Sequence, residues 1–525
     1  MAATTEVLAV SAVQSPPKTP VEGTTEKGSY GEILASSALV GGSSVLKIAI
    51  GVVRTKAMAV LLGPAGFGLF GLFGSILDLS QNIAGMGINS SGVRQIAEAV
   101  GSSDHKRIEK TAAVLRRTSI VLGLLGAALL AMLSRQVSQL TFGSPQRAGA
   151  VSLLSIAVFF TLVSGGQGAL IQGMRRIADL AKMNVFGALF GLCTAIPLVY
   201  FLRDRGVVPS LVAVAAATIL TSWWYSRQID IQVPSVTVSE VLTEAPALLK
   251  LGSAFMASGL MTMGVAYATR IILLRKVGFE ATGLYQSAWT LGGLYVSIIL
   301  QAMTADFYPR LTASANNSTE CNRLVNEQTC IGLLLAGPGV LMTITFAPVV
   351  VAILYSAKFA GAVVVMRWIC IGAMLQVISW PMGFIIVAKG KPVMFFLAEL
   401  AWAIVAFSLV WSCIVFFGLS GAGIAFCGAY VFHIFLIYSI VKRLSGYRFS
   451  GEMKRTSGVF CLLIALVLLA FHVVPFIEAL CLGFLFVLAG ASYSMVSIIR
   501  LTPTGYLPKF VRKLVRWWRL NVVSQ

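Results

Sequence analysis

Residues 393–416 read VMFFLAELAWAIVAFSLVWSCIVF, a mainly apolar stretch whose only charged residue is Glu399. A helix needs about 20 such residues to cross the hydrocarbon core of a bilayer. The stretch lacks the alternation of apolar and polar residues that marks a membrane-spanning β-strand. Because lipid offers the backbone no hydrogen-bond partners, this segment is predicted to be a transmembrane helix.

Similar stretches recur along the whole chain, and they predict an all-α, polytopic integral membrane protein. The 525 residues are 57% hydrophobic and only 11% charged, whereas soluble domains carry about 25% charged residues. The polar side chains are therefore too few to cover a soluble core of this size. About fourteen spans are predicted, at 33–53, 66–88, 117–133, 151–172, 183–201, 207–225, 250–274, 283–304, 329–354, 362–387, 393–416, 420–440, 457–474 and 478–499.

The basic residues predict the orientation of the chain. The net charge of +20 is spread over many short loops, which is typical of membrane topology signals and not of a nucleic-acid-binding patch. With the N-terminus in the cytoplasm, the cytoplasmic loops contain clusters such as Lys106 with Arg107 and Lys442 with Arg443, while the loop between the last two spans has none. Both termini are therefore predicted to be cytoplasmic, which requires an even number of spans.

The chain also resembles itself. GLFGLFGSILDLS from Gly68 aligns with GLYQSAWTLGGLY from Gly283, and upstream Arg54 aligns with Arg270. Such a repeat predicts two six-helix lobes of the same orientation, which is one of the two common transporter designs. The alternative is that membrane helices rich in glycine and alanine resemble each other by composition alone.

The two ends of the chain are predicted to be cytoplasmic appendages. The start is rich in Thr, Pro and Ser and lacks the pattern of a signal peptide, so it is predicted to be disordered. The segment KFVRKLVRWWRL near the end predicts an amphipathic helix on an anionic membrane surface. The predicted segments are a disordered tail (1–30), an N-lobe of helices 1 to 6 (31–225), an inter-lobe linker (226–249), a C-lobe of helices 7 to 12 (250–441), two extra helices (455–500) and a basic amphipathic tail (501–525).

Charged residues inside spans identify candidate functional positions, because an ion in lipid is costly and usually faces a cavity. Lys47 and Arg54 are seven positions apart on the first span, so they share a helix face. This face is predicted to bind an anionic substrate, the alternative being side chains that extend to the membrane interface. Asp78 on the second span either pairs with a cation on the first span or binds a coupling ion.

Arg270 is predicted to bind substrate as the repeat partner of Arg54, so that the two arginines face each other across the interface between the lobes. The guanidinium fork suits phosphate because it binds two oxygens at once. Tyr285 and Trp289 could stack on sugar rings, although such aromatics also serve packing and interface belts.

No pattern in the sequence predicts an enzyme, a metal site or a cofactor. GFGLFG at 66–71 matches the glycine fingerprint of dinucleotide sites, but it lies in a predicted membrane span with no preceding strand. The chain contains no P-loop sequence and no HExxH, and its eight cysteines form no CxxC pair. A membrane-embedded glycosyltransferase would need a large outer loop or catalytic carboxylates, and the sequence shows neither.

Three segments resemble flippases of the Wzx type, which belong to the polysaccharide transporter family of the multidrug/oligosaccharidyl-lipid/polysaccharide exporter superfamily. They are KIAIGVVRTKAMAVLLGPAGFGLFGLF (47–73), ILYSAKFAGAVVVMRW (353–368) and FIIVAKGKPVMFFLAEL (384–400). The resemblance implies two lobes around a central cavity in the bacterial cytoplasmic (inner) membrane. It implies a substrate of undecaprenyl-diphosphate carrying an O-antigen or exopolysaccharide repeat unit. It also implies alternating access without ATP, driven by H⁺, Na⁺ or the membrane potential.

In related flippases, cationic residues of the first helix line the cavity, and Arg54 stands at a matching position with Lys47 near it. Besides membrane lipids, partners could include a polysaccharide polymerase and chain-length proteins. The two extra helices are more usual in lipid II flippases, so a peptidoglycan-precursor flippase stays open as an alternative. A multidrug antiporter of the same superfamily is a further alternative, although that class prefers acidic cavities.

Overall fold

The computed structural model describes residues 26–102, 104–229, 256 and 259–501, with side chains from residue 42 onward except those of 301–306 and 309. The predicted N-terminal tail up to residue 25, most of the predicted linker and the basic tail beyond Leu501 lie outside these residues. The described residues are helical and contain no strand, which confirms the all-α prediction. The helices are α1 (Glu26–Gly85), α2 (Ile88–Gly101), α3 (His105–Met132), α4 (Ser134–Phe142), α5 (Ala148–Gly173), α6 (Ile177–Leu202), α7 (Val207–Ser226), α8 (259–276), α9 (Phe279–Gly292), α10 (Leu294–Ala313), α11 (Ser318–Leu354), α12 (Ala362–Ala388), α13 (Pro392–Phe417), α14 (Leu419–Ser445), α15 (Gly451–Val473) and α16 (Phe476–Leu501).

The described helices are those of a multi-pass membrane protein. Within the described ranges, ten segments are long and apolar enough to cross a bilayer, and two of them, Gly42–Gly85 and Ile177–Ser226, contain 44 and 50 residues. Because one crossing needs about 20 residues, each of these two segments can hold two crossings. The count of fourteen is not confirmed by helix length and stays a prediction.

A sharp bend joins the first two predicted spans into the single helix α1. Gly63 has a positive φ of 66° and is followed by Pro64, which has no backbone N–H and cannot continue the hydrogen-bond ladder. The guanidinium of Arg203 donates a hydrogen bond of 3.1 Å to the carbonyl of Leu61 and so satisfies an oxygen close to the bend. The arms before and after Gly63 carry Arg54 and Asp78 respectively.

Contacts divide the chain into two compact units. The N-terminal unit contains the described residues up to Gln286 together with Leu354–Lys358, and the C-terminal unit contains Ser287–Ile353 and the described residues from Phe359 onward. Helix α8 therefore groups with the N-terminal helices, whereas the repeat assigns 250–274 to the second lobe. The predicted lobe boundaries concern the repeat, which contact grouping does not test, and they stay predictions.

Within the N-terminal unit, α8 is held against α4 by polar contacts. The hydroxyls of Thr141 and Tyr267 are hydrogen-bonded, and the guanidinium of Arg275 donates to the carbonyls of Gln139 and Leu140. These backbone oxygens lie in the last turn of α4, where the carbonyl of Gln139 also accepts a hydrogen bond from the N–H of Gly143. The docking of α8 thus adds donors at the α4 C-terminus.

The second arm of α1 crosses α9 at backbone contact. A Cβ on Gly68 would lie 2.5 Å from the carbonyl oxygen of Phe279, and a Cβ on Gly283 would overlap the carbonyl oxygen of Pro64. Gly68 and Gly283 are the residues that the sequence repeat aligns with each other. Gly63 and Gly278 stand five positions before them, and both have positive φ, which favours glycine.

In the C-terminal unit, the two extra helices pack against α11 through small residues. Gly337 of α11 receives the ring of Phe460, and Gly483 of α16 lies against the side chain of Thr345. The chain between α14 and α15 is pinned to α11 because Asn326 donates 3.0 Å to the carbonyl of Arg448. The extra helices are therefore an integral part of this unit.

We expect Gly283→Ala to lower the thermal stability of the protein in detergent, because the added methyl must displace backbone. Overpacking of this kind costs about 1–3 kcal/mol. Gly264→Ala is the matched control, since a Cβ there meets nothing within 4 Å. Equal melting temperatures for the two variants, measured by size-exclusion after heating, would contradict the close crossing of α1 and α9.

Candidate functional site

The first arm of α1 presents two cations on one face. Lys47 is exposed, and its Nζ donates a hydrogen bond of 3.4 Å to Oδ1 of Asn184 on α6. Arg54 is half-buried, and its charge is close enough to interact with that of Lys47. The two charges repel each other, so this face concentrates positive potential and favours an anion.

Arg54 has no hydrogen-bond or ion-pair partner among the described residues. Two other arginines of the same unit are paired with carboxylates: Arg94 with Glu98 at 2.7 Å, and Arg176 with Asp179 at 2.6 Å. An uncompensated guanidinium in a membrane-spanning helix is costly. Arg54 is therefore the position in this unit whose charge most needs an external anion.

Arg270 has the opposite character. It is only 5% exposed, and its Nε donates to Oε1 of Gln286 at 2.9 Å while Nη1 donates to the carbonyl of Ala266 at 2.8 Å. Its guanidinium also lies over the ring of Tyr285, 5.5 Å from the centroid, and interacts electrostatically with Asp78. The fork predicted to bind phosphate is thus engaged within the protein in this conformation.

Both arginines lie in the N-terminal unit, whereas the repeat predicts them on opposite lobes. The difference arises because α8 is anchored to α4 and α9 crosses α1, which the repeat alone does not specify. The predicted roles of Lys47, Arg54 and Arg270 in substrate binding stay predictions. The geometry distinguishes them: the charges of Lys47 and Arg54 are accessible, whereas the guanidinium of Arg270 is bonded to neighbouring residues.

Asp78 is exposed on the second arm of α1, and its electrostatic partner is Arg270. The sequence predicted a cation of the first span or a coupling ion for this carboxylate. The structure places a cation of α8 near it instead, which the spacing along α1 could not reveal. Binding of a coupling ion by Asp78 stays a prediction.

The two aromatic residues proposed to contact sugars have packing partners. Tyr285 is 2% exposed and is hydrogen-bonded to Thr269 beside Arg270. Trp289 is half-buried in the C-terminal unit, where its ring meets that of Phe426 edge to face at 5.3 Å. These contacts agree with the packing alternative, and contact with a sugar stays a prediction.

The C-terminal unit contains a second intramembrane pair, between α13 and α14. Nε2 of His433 lies 3.5 Å from Oε1 of Glu399, and both side chains are largely buried. Nδ1 of His433 and Nε1 of Trp402 are buried without a hydrogen-bond partner among the described residues. This pair places two ionisable side chains between two membrane helices, where such residues are uncommon.

We expect Arg54→Ala and Arg270→Ala to differ in stability. Arg270→Ala should destabilise the fold by about 1.5–3 kcal/mol, because it leaves Gln286 without its charged donor. Arg54→Ala should melt at or above the wild-type temperature, because no described residue loses a partner and an uncompensated charge is removed. Melting temperatures in detergent check both, and equal destabilisation of the two would contradict the distinction between an accessible and an engaged arginine.

Known proteins resemble this chain in sequence and in architecture. Residues 57–364 match the family described as polysaccharide biosynthesis protein. The lipid III flippase of Escherichia coli (strain K12) is 24% identical over 435 residues, which cover 77% of this chain and 97% of that protein. The lipid II flippase MurJ in an inward closed conformation superposes with a TM-score of 0.65 at 13% identity, covering 88% of this chain and 99% of that one.

An inward-facing multidrug resistance transporter of the MATE family and the MOP superfamily superposes with a TM-score of 0.62 at 16% identity, over 76% of this chain and 98% of that one. At these identities the structural matches show the fold alone. The family match covers more than half of the chain, including the bend of α1 and the α9 crossing. The chain belongs to the polysaccharide biosynthesis protein family of membrane proteins.

Proposed function

We propose that this protein is a flippase that moves undecaprenyl-diphosphate-linked oligosaccharide, an O-antigen or exopolysaccharide repeat unit, from the cytoplasmic to the outer leaflet of the bacterial inner membrane. Membership of the polysaccharide biosynthesis protein family supports this proposal, as does the likeness to a protein named lipid III flippase. Transport proceeds by alternating access without ATP, with both termini in the cytoplasm.

The observation that carries the proposal is the uncompensated charge of Arg54 beside Lys47. A diphosphate cannot enter hydrocarbon unaided, because burying an anion without partners is prohibitively costly. A cationic helix face lowers that barrier while the lipid tail of the substrate stays in the bilayer. Binding the diphosphate also relieves the repulsion between Lys47 and Arg54, so protein and substrate stabilise each other.

The same charges argue against one of the two alternatives and leave the other open. A multidrug antiporter for cationic drugs would need acidic groups on this face, whereas Asp78 lies on the other arm of α1 and is opposed by Arg270. A lipid II-type flippase carries a diphosphate as well, so the cationic face fits it equally. The likeness to the polysaccharide family and to the lipid III flippase favours the oligosaccharide repeat unit.

Two described acids inside membrane helices are candidates for binding the coupling ion. They are Asp78, beside Arg270, and Glu399, beside His433. A carboxylate paired with arginine can exchange that partner for H⁺ or Na⁺, whereas a carboxylate paired with histidine is suited to H⁺. We propose that an ion gradient or the membrane potential acts through such a site. A polysaccharide polymerase and chain-length proteins would then act on the flipped product.

Arg54→Ala should lose most flipping in proteoliposomes at matched protein levels. One charge-assisted contact contributes about 1.5–3 kcal/mol, which corresponds to a loss of about ten- to a hundredfold. Arg54→Lys should keep partial activity, because it retains the charge and loses the two-pronged geometry.

Arg205→Ala, in the exposed segment between α6 and α7, is the control and should flip substrate at the wild-type rate. The assay uses a fluorescent undecaprenyl-diphosphate oligosaccharide and measures its access to a reagent outside the vesicle. Wild-type rates for Arg54→Ala would remove the cationic face from the mechanism.

Asp78→Asn distinguishes coupling from charge pairing. If Asp78 binds the coupling ion, the variant should bind substrate as the wild type does and lose the acceleration that an imposed ion gradient gives. If Asp78 serves Arg270 alone, the main effect should be a lower melting temperature with gradient dependence retained. Wild-type stability together with wild-type gradient dependence would exclude both roles.

A further inference from the structure

A cavity of about 220 Å³ opens between α3, α5 and α7 of the N-terminal unit. Its floor is mostly apolar, and its mouth carries the guanidinium groups of Arg116 and Arg227. The residues that line it are Ala112, Leu115, Arg116, Val163, Gly166, Gln167, Leu170, Trp223, Ser226, Arg227 and Ile229. This lining contains two full positive charges and no acidic residue, so the cavity attracts anions.

The two arginines are available to a ligand. Both are exposed, and neither has an ion-pair partner within the described part of the chain. Nearby Arg176 is instead neutralised by Asp179 and donates to the carbonyl of Gln228. Among the described residues, an acid therefore pairs with Arg176, and none pairs with Arg116 or Arg227.

A third polar group points to hydrogen bonding inside the cavity. Gln167 is 8% exposed, and its Oε1 accepts a hydrogen bond of 2.6 Å from the hydroxyl of Ser222. That bond fixes the side-chain amide and leaves its N–H donors for an acceptor in the cavity. Two guanidinium groups and an amide donor form the kind of partner set that phosphate oxygens require.

Aromatic residues place the mouth at a membrane boundary. The guanidinium of Arg227 lies 4.6 Å from the ring centroid of Trp223 and 4.5 Å from that of Trp224. Both tryptophans are exposed, as in the aromatic belts at the headgroup level of a bilayer. Arg116 and Arg227 each lie within two residues of a predicted span end, at 117 and 225, so both lie at the same predicted boundary.

We propose that this cavity binds the phosphate headgroup of an anionic phospholipid from the leaflet on that side of the membrane. The phosphate lies between Arg116 and Arg227 and accepts a hydrogen bond from the side-chain amide of Gln167. The volume supports a headgroup over the transported substrate: it is below the roughly 300–1,000 Å³ of pockets that enclose whole drug-sized ligands. An oligosaccharide repeat unit would not fit, whereas a lipid keeps its chains in the bilayer outside.

The test measures binding of phosphatidylglycerol to the full-length purified protein by native mass spectrometry, with phosphatidylcholine as the neutral comparison. Wild type should retain phosphatidylglycerol preferentially. Arg116→Gln and Arg227→Gln should each bind phosphatidylglycerol about tenfold more weakly than the wild type does, or more weakly still, because each loses a charge-assisted contact. Both side chains are exposed, so the variants should elute as the wild type does. Arg227→Lys, which keeps the charge, should bind with intermediate strength.

Arg94→Gln is the matched control, because Arg94 is an exposed arginine on the same predicted side that is already paired with Glu98. It should bind phosphatidylglycerol as the wild type does. Equal binding by Arg227→Gln and Arg94→Gln would overturn the proposal. Displacement of the lipid by equimolar inorganic phosphate would show a free-anion site, and displacement by undecaprenyl diphosphate would assign the cavity to the substrate path; either result overturns it. The assay needs no transport, so its outcome is independent of the proposed flippase activity.

Discussion

A charge held within a membrane helix is costly unless something neutralises it, and this constraint organises the protein. Arg or Lys at the centre of a spanning helix costs about 2.5–3.5 kcal/mol even by the mildest scale. Arg270 meets that cost internally through Gln286, Ala266 and Asp78. Arg54 has no such partners among the described residues, which supports the proposal that a bound anion neutralises it. In a flippase for diphosphate lipids that anion is the substrate, and the instability of the empty site favours loading.

The close crossing of α1 and α9 explains how the helices that carry such a site are held in fixed positions relative to one another. Glycines at 68 and 283 allow backbone contact between helices that the sequence repeat relates to each other. The bend at Gly63 then sets the two arms of α1 at an angle, with the cations before it and Asp78 after it. Because Asp78 and Gln286 both meet Arg270, a change of charge on one arm can alter the packing of α8 and α9. Charge and helix packing are thereby coupled within one unit.

The sequence predicts the helices well because bilayer thickness fixes their length, and all fourteen predicted spans overlap helices among the described residues. It predicts two irregularities less well. One is the bend at Gly63, and the other is the break at Gly293, which interrupts the predicted span 283–304 between α9 and α10. The site is less predictable still. Spacing along one helix correctly indicates that Lys47 and Arg54 share a face, but the partners of Arg270 come from α1 and α9. Only tertiary contacts decide which of two aligned arginines is engaged and which is accessible.

The most direct test of the proposed flippase function is to analyse the lipid pool of a strain that lacks this gene. The leaflet of each lipid is determined by its access to an impermeant reagent. Undecaprenyl-diphosphate-linked repeat units should build up in the cytoplasmic leaflet, and the wild-type gene should restore their export. Unextended lipid carriers would indicate an enzyme of assembly instead. An unchanged glycolipid pool together with increased drug sensitivity would contradict the account and indicate an antiporter.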